Sequence, residues 1–296
     1  QKNFDDWLTN LKTESAYKLM KKSKLYVSEP NKIAGGLSAR EESFMSNIAE
    51  RLPLIGRVVK ASSRSYTAYL NKLRVDTFKS LSNKFIKEGT DPATSPKVFE
   101  DLADFINTAT GRGNLGQTLN RATPLLNNIF FSPRLIASRF NMLNPGWYAK
   151  QSPQVRKEAI KSFAELVGFG ATVLTLAKAG GADVELDPRS SDFGKIRVGN
   201  TRWDTWGGFQ QWVRVFSQMV SGVRKTTNTK ELIPLSAKKY PFETRLDVAG
   251  RFLRGKLAPV PSLALELLEG QKLFGEELSL SGEVLDNIVP LYLRDM

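Results

Sequence analysis

The side chains in this chain whose type and spacing could do chemistry are cations. Arg57, Lys60, Arg64, Lys72, Arg74, Lys79, Lys84 and Lys87 fall between Arg57 and Glu88, where Asp76 and Glu88 are the only acids. Such a run is suited to displacing counterions from a phosphate backbone. It also fits a solvated helix face, which is what most charge runs are. A second pair, Arg197 and Arg202, flanks the turn signal Gly199–Asn200. A two-residue hairpin turn there sets Val198 opposite Thr201, Arg197 opposite Arg202, Ile196 opposite Trp203 and Lys195 opposite Asp204. Two arginines directly opposed across a strand pair repel. Asp187, Asp192 or Asp204 would offset them from within the chain, and a phosphate held between the two guanidinium groups would do the same. Both arrangements order the arginines, but only the second leaves them without carboxylate partners. The candidate anion or nucleic-acid contacts are therefore Arg57, Lys60, Arg64, Lys72, Arg74, Lys79, Arg197 and Arg202.

Other chemistry is narrowed by what is missing. The 296 residues include no cysteine and no histidine. That rules out disulfides, thiolate ligands, cysteine nucleophiles, imidazole bases and every Ser-His-Asp arrangement. Catalysis would need paired carboxylates, a lysine of depressed pKa or a cofactor, and no such set stands out. The residues Asp183, Glu185, Asp187 and Asp192 lack calcium-loop spacing and are interrupted by Pro188 and Arg189; ion pairs or solvation suit them better. "GRGNLG" at Gly111–Gly116 matches a dinucleotide fingerprint in form, but a helical pattern precedes it where that motif needs a strand. Its glycines read instead as a helix stop. We therefore expect a chain that binds or builds, with no catalytic residues, cofactor or metal. The formal charge of +13 points to an anionic partner, nucleic acid or lipid surface, and equally to a well-solvated exterior.

The elements that must carry these residues read as mainly α, a multi-helix assembly with one β-hairpin near residues 195–204. Phe4, Trp7, Leu8 and Leu11 share a helical face, and "SARE" at Ser38–Glu41 is a capping box opening a helix through Phe44, Ile48 and Ala49 to Pro53. A long helix is predicted over Arg57–Glu88, with Tyr66, Leu70, Leu73, Leu81 and Phe85 as its stripe. "GTDPATSP" at Gly89–Pro96 is a loop or linker, dividing a region 1–89 from a region 97–296 that can still pack as one body. Ser132–Pro133 opens a helix with Ser132 as N-cap, and Asn144–Trp147 breaks it. Phe163–Leu176 is the most apolar stretch and predicts a buried core helix more readily than a bilayer-entering one. Phe209, Trp212, Val213, Phe216 and Val220 form an apolar stripe at helical spacing. Trp203 and Trp212 are expected inside, and Trp206 is the exposed one. The chain opens at Gln1 with no charged-then-apolar leader pattern, which reads as a processed product or part of something longer.

"DPRSSDFGKIRVGNTRWDTWGGFQQWVR", with "FFSPRLIASRF" before it and "LAPVPSLALELLEGQKLFGE" after it, resembles a region of very large phage and prophage proteins, the large polyvalent protein arrays. "EESFMSNIAERLPLIGRVVKASSRSYTAYLNKLR" resembles its usual upstream partner. Together the likeness covers roughly residues 40–296. It implies an internal virion or ejection protein, packaged in the particle and delivered into the host with the DNA. Portal, tail or ejection components would be its partners, along with copies of itself, packaged DNA and, transiently, a membrane. No catalytic residues carry over. Two other implications stand beside this one: an accessory module of a packaged enzyme such as a virion polymerase or toxin, and a delivery segment that inserts Phe163–Leu176 into a membrane.

Overall fold

The computed structural model describes residues 2–28, 55–236 and 243–269. The capping box at Ser38–Glu41 and the helix expected from it to Pro53 lie outside the described residues. The fold is mainly α, with a three-stranded and a two-stranded antiparallel sheet. The chain divides into two compact units, Gln1–Ala159 with Ala258–Met296, and Ile160–Leu257. The division does not fall at the Gly89–Pro96 loop, because the long helices on either side of that loop bury their apolar faces in one core.

The first unit contains α1 (Lys2–Thr13), α2 (Ser15–Lys22), α3 (Ile55–Lys87), α4 (Pro96–Ala109), α5 (Gly116–Arg121), α6 (Thr123–Ile129), α7 (Pro133–Leu143) and α8 (Pro145–Lys150). It also holds the start of α9 (Pro153–Ala179), and α12 (Pro259–Glu269) belongs to it as well. Its core is built by Leu70, Val75, Phe78 and Phe85 of α3 against Phe99, Leu102, Phe105 and Ile106 of α4, with Leu11, Met20 and Val155. α3 spans nearly the predicted range, but its inward stripe is rotated from the expected one. Thr67, Leu70, Asn71, Arg74, Val75, Phe78, Ser82 and Phe85 face in, while Tyr66 and Leu73 are exposed. Side-chain hydrogen bonds allow the polar members inside: Asn71 accepts from the Ser28 N–H at 2.9 Å and donates to the Ser28 carbonyl at 2.7 Å.

α4 ends as its glycines predict. Gly111 adopts φ +93°; its N–H reaches the Thr108 carbonyl and the Arg112 N–H reaches that of Asn107, the Schellman pattern. Gly113 lies against α7, where an added Cβ would stand 2.2 Å from the Ser138 nitrogen. α7 does start at Pro133, but Ser132 sits in the left-handed region (φ 49°) without a side-chain cap. Its carbonyl instead accepts from the Leu135 and Ile136 amides. Asn144 caps α8 by accepting from Gly146.

In the second unit, the later part of α9 is followed by β1 (Asp183–Val184), β2 (Lys195–Val198) and β3 (Thr201–Asp204) in the order β1-β2-β3. The hairpin register is the predicted one at all four pairs, Arg197 opposite Arg202 included, with Gly199 at φ +59° supplying the turn. α10 (Gln210–Ser221), the ribbon of β4 (Val223–Lys225) and β5 (Leu232–Pro234), and α11 (Arg245–Arg254) complete the unit. A capping box absent from our sequence reading opens α11: Thr244 Oγ1 accepts from the Asp247 N–H while the Asp247 carboxylate accepts from the Thr244 N–H.

Candidate functional site

The cations of α3 do not form one rail. Arg57 and Arg64 lie on exposed turns, and the Lys60 side chain lies outside the described residues. Lys72 pairs with Asp76 at 2.7 Å and Lys79 pairs with Glu14. Arg74 corrects the expectation outright. It is 0% exposed, donating from Nε to Thr110 Oγ1 at 2.8 Å with its guanidinium 5.2 Å from the Tyr26 ring centroid. An arginine with that many internal partners cannot reach a phosphate. Helical spacing places a residue on a face but does not say whether that face meets solvent.

The opposed arginines of the hairpin are resolved differently. Arg202 donates to Asp192 at 2.8 Å, and Asp192 also stands 3.7 Å from Lys195. Arg202 therefore has the carboxylate partner that the intrachain account requires. Arg197 is exposed and donates from Nε to the Gly199 carbonyl at 3.1 Å. The acidic loop before the hairpin is a set of ion pairs. Asp187 accepts from Arg189 N–H and Nε at 3.0 Å and from Nη2 at 2.9 Å; Glu185 pairs with Lys225 and Lys230. Bonding to Arg189 holds the Asp187 carboxyl down to about 2, against the opposing effect of burial. Burial works against Glu185 ionisation too, but the Asp187 amide and the two lysines outweigh it, and its pKa is lowered. A carboxyl depressed on folding contributes stability that is present above its unfolded value, 3.8 for Asp187, and lost as pH falls toward about 2. Urea midpoints of the wild type should therefore drop between about pH 5 and 2, and Asp187→Asn should flatten that slope. An unchanged slope in the variant would show that Asp187 is not responsible.

The tryptophans exchange their expected roles. Trp203 is 61% exposed, and Val198 and Thr201 beside it are exposed too, so of the face read as the core side only Ile196 is partly covered among the described residues. Trp206 is the seated one. Its Nε1 donates to the Gly194 carbonyl at 2.9 Å, and its ring lies where a Cβ on Gly170 or Gly194 would stand. Asp204 accepts from the Trp206 N–H at 2.8 Å, and Gly207 and Gly208, at φ +57° and +87°, carry the chain into α10. Trp212 is half-buried, edge-on to Phe252 at 4.8 Å.

The largest departure from the sequence reading concerns apolar surface. α9 is not a buried core helix: beyond Ala159 only Gly170 and Leu174 are buried, while Ile160, Val167, Phe169 and Leu176 are exposed. α10 keeps only the first part of its predicted stripe inside, with Phe209 buried and Trp212 and Val213 half-buried. It buries Gln210 and Gln218, whose amides donate to the Ser191 and Arg189 carbonyls, and leaves Phe216 72% exposed with Val220 beside it in sequence register. The backbone carbonyls of the acidic loop need donors, and the glutamines supply them, so the end of the stripe at Phe216 and Val220 is turned out. Among its described residues the unit buries only Leu174, Phe209, Leu235 and Val248 as large apolar side chains. An apolar cavity of about 530 Å³ lies between α9 and the loop, walled by Leu174, Val184, Leu186, Phe193 and Trp206.

The first unit has a polar cavity of about 650 Å³ lined in part by Asp101, Asp104, Arg134, Trp147 and Gln151. Burial raises the Asp104 pKa, and its carboxylate accepts from Trp147 Nε1 at 3.1 Å and Gln151 Nε2 at 3.4 Å. Asp101 accepts from Lys97 at 2.8 Å and from Ser152. These carboxylates anchor α8 and the start of α9 to α4. Comparison with protein-family models, with curated proteins and with solved structures finds no match to this chain.

Proposed function

We propose that this chain is a non-enzymatic internal component of a phage particle, delivered into the host with the DNA, that assembles through the apolar surface of residues 160–257 and contacts DNA through its cations. The observation that carries the assembly reading is the mismatch in that unit between a small core and a large apolar exterior. Exposed side chains scattered singly need no explanation, but Phe169 and Leu176, seven residues apart on α9, lie within about 20° of each other on one helix face and are both exposed. Covering a side chain of this size is worth about 1.5–3 kcal/mol. Sister copies and neighbouring virion proteins are the partners this surface suits. Replacing Phe169 and Leu176 together by aspartate is expected to weaken self-association roughly a hundredfold, read by light scattering over a dilution series, with the helical circular dichroism unchanged. A wild type that stays monomeric at all concentrations and has no neighbour in the particle would sink the proposal.

One observation favours a second reading. α9 is 27 residues long and contains an eighteen-residue window of mean hydropathy 1.4, of which 17% is buried. At 1.5 Å per residue it reaches about 40 Å, more than the ~30 Å of a bilayer's hydrocarbon core. In that reading the helix enters the host membrane during delivery. Vesicle leakage caused by the wild type and abolished by the same double aspartate variant would favour it over protein docking.

A further inference from the structure

A second group of cations, none of them among the anion contacts expected from the sequence, lies in the second unit, where two of its members flank one carboxylate. Glu243 is buried, and its two oxygens are taken by Arg224 and Arg251. Arg214, on α10, has its Nε buried without a hydrogen-bond partner among the described residues. Lys256 donates to Gln211 Oε1 at 2.5 Å and lies 5.1 Å from the centre of the Phe252 ring. α10 and α11 pack together, with Trp212 and Phe252 edge-to-face between them. From these elements we infer that Arg214, Arg224, Arg251 and Lys256 form a site for the backbone phosphates of double-stranded DNA. The inference rests on the DNA-contact part of the proposed function and is independent of its assembly part.

Charge balance is the physical reason. Between Thr205 and Leu257 the only acids are Glu231, Glu243 and Asp247. Glu231 accepts from Thr229 and Asp247 is spent on the α11 cap, so of the acids in this stretch Glu243 is the one left to offset Arg214, Arg224, Arg251 and Lys256. Burial, and then the neighbouring cation, lowers the pKa of each of three members: Arg214 beside Arg251, Arg251 beside Arg224, and Lys256 beside Arg214. A partly desolvated cluster with an excess of positive charge is stabilised by an anion, and guanidinium forks match the paired oxygens of a phosphate.

The arrangement of the helices favours nucleic acid over a bilayer. At 100° per residue, Arg214 lies about 160° around α10 from Phe216 and about 120° from Val220. Arg251 lies about 140° around α11 from Leu246 and about 160° from Leu253. A membrane taking up those exposed apolar side chains would meet faces turned away from the guanidinium groups.

The test is binding of the full chain to a short labelled DNA duplex of mixed sequence, followed by anisotropy across a salt series. Arg214→Gln with Arg251→Gln should lower the magnitude of the log–log salt slope by about two, and Lys256→Gln alone by about one. The lysine variant retains both Glu243 ion pairs, so its result stands if the double variant folds poorly by circular dichroism. Slopes unchanged in these variants but reduced in Arg57→Gln with Arg64→Gln would overturn this site and leave DNA contact on α3 standing. A wild type that binds no duplex at low salt overturns both the site and the DNA contact. Vesicles of anionic phospholipid that bind the wild type and displace the duplex, with the loss falling on the same variants, overturn the nucleic-acid assignment.

Discussion

Gly194→Ala is expected to destabilise residues 160–257 by about 3 kcal/mol, from steric overpacking together with left-handed backbone strain. Gly194 sits at φ +67°, and an added Cβ would stand 2.3 Å from Trp206 Nε1 and 2.9 Å from Cδ1. The indole cannot retreat, because Gly170 on α9 closes its other side at 2.6 Å from the position of a Cβ. It is also held by the hydrogen bond from Nε1 to the Gly194 carbonyl at 2.9 Å. Trp206 thus ties α9 to the start of the hairpin through two glycines that leave room for its ring. Urea unfolding followed by tryptophan fluorescence gives the measurement. In the Trp206→Ala background the clash disappears and only the backbone strain remains, so the same glycine substitution should there cost about 1–2 kcal/mol. Equal costs in the two backgrounds would show that the ring and the glycine are not in contact.

Arg74→Ala should cost about 3–4 kcal/mol, the range for opening a cavity in a core and stranding a buried acceptor. Arg74 is wholly buried on α3. It donates to Thr110 Oγ1 at 2.8 Å and to the Thr110 carbonyl at 3.3 Å, at the point where α4 ends. Tyr26 is flanked by two guanidinium groups, Arg74 at 5.2 Å and Arg112 at 3.4 Å from its ring centroid. One side chain therefore links α3, the end of α4 and the segment after α2. Arg74→Met preserves much of the volume and loses the fork, so it should cost less than the alanine variant. Neither substitution should alter the salt dependence of DNA binding by folded protein. A reduced salt slope would return Arg74 to the phosphate contacts from which its burial removes it.

Much of the local structure was legible. The hairpin could be placed to the residue because Gly199–Asn200 selects a tight turn, and a two-residue turn leaves only one register. The Gly111 helix stop was legible for a similar reason: a residue without Cβ tolerates φ +93° where others strain. The helical extent of α3 followed from a long stretch without proline or glycine. Which face of a helix is inward was harder to read, and there the apolar stripes misled. On α3 the inward row includes Asn71 and Arg74, and on α10 it includes Gln210 and Gln218, whose partners are distant in sequence: Ser28, Thr110, Ser191 and Arg189. Trp203 and Trp206 exchanged roles because the seat of Trp206 is made by Gly170, far from it along the chain. The cationic group of Arg214, Arg224, Arg251 and Lys256 went unread for the same reason. Its members are separated by loops, and no spacing rule connects Arg214 with Lys256.

By itself, the sequence determined the mainly helical class, the hairpin and its opposed arginines, and the absence of cysteine and histidine chemistry. Those depend on backbone preference and side-chain inventory, which act within a few residues. Only the tertiary structure decided which cations are spent inside, which carboxylate neutralises Arg202, and which apolar faces stay uncovered. Burial and ion pairing depend on groups brought together from distant parts of the chain, and the same arginine is a core hydrogen-bond donor or a surface charge according to what packs over it.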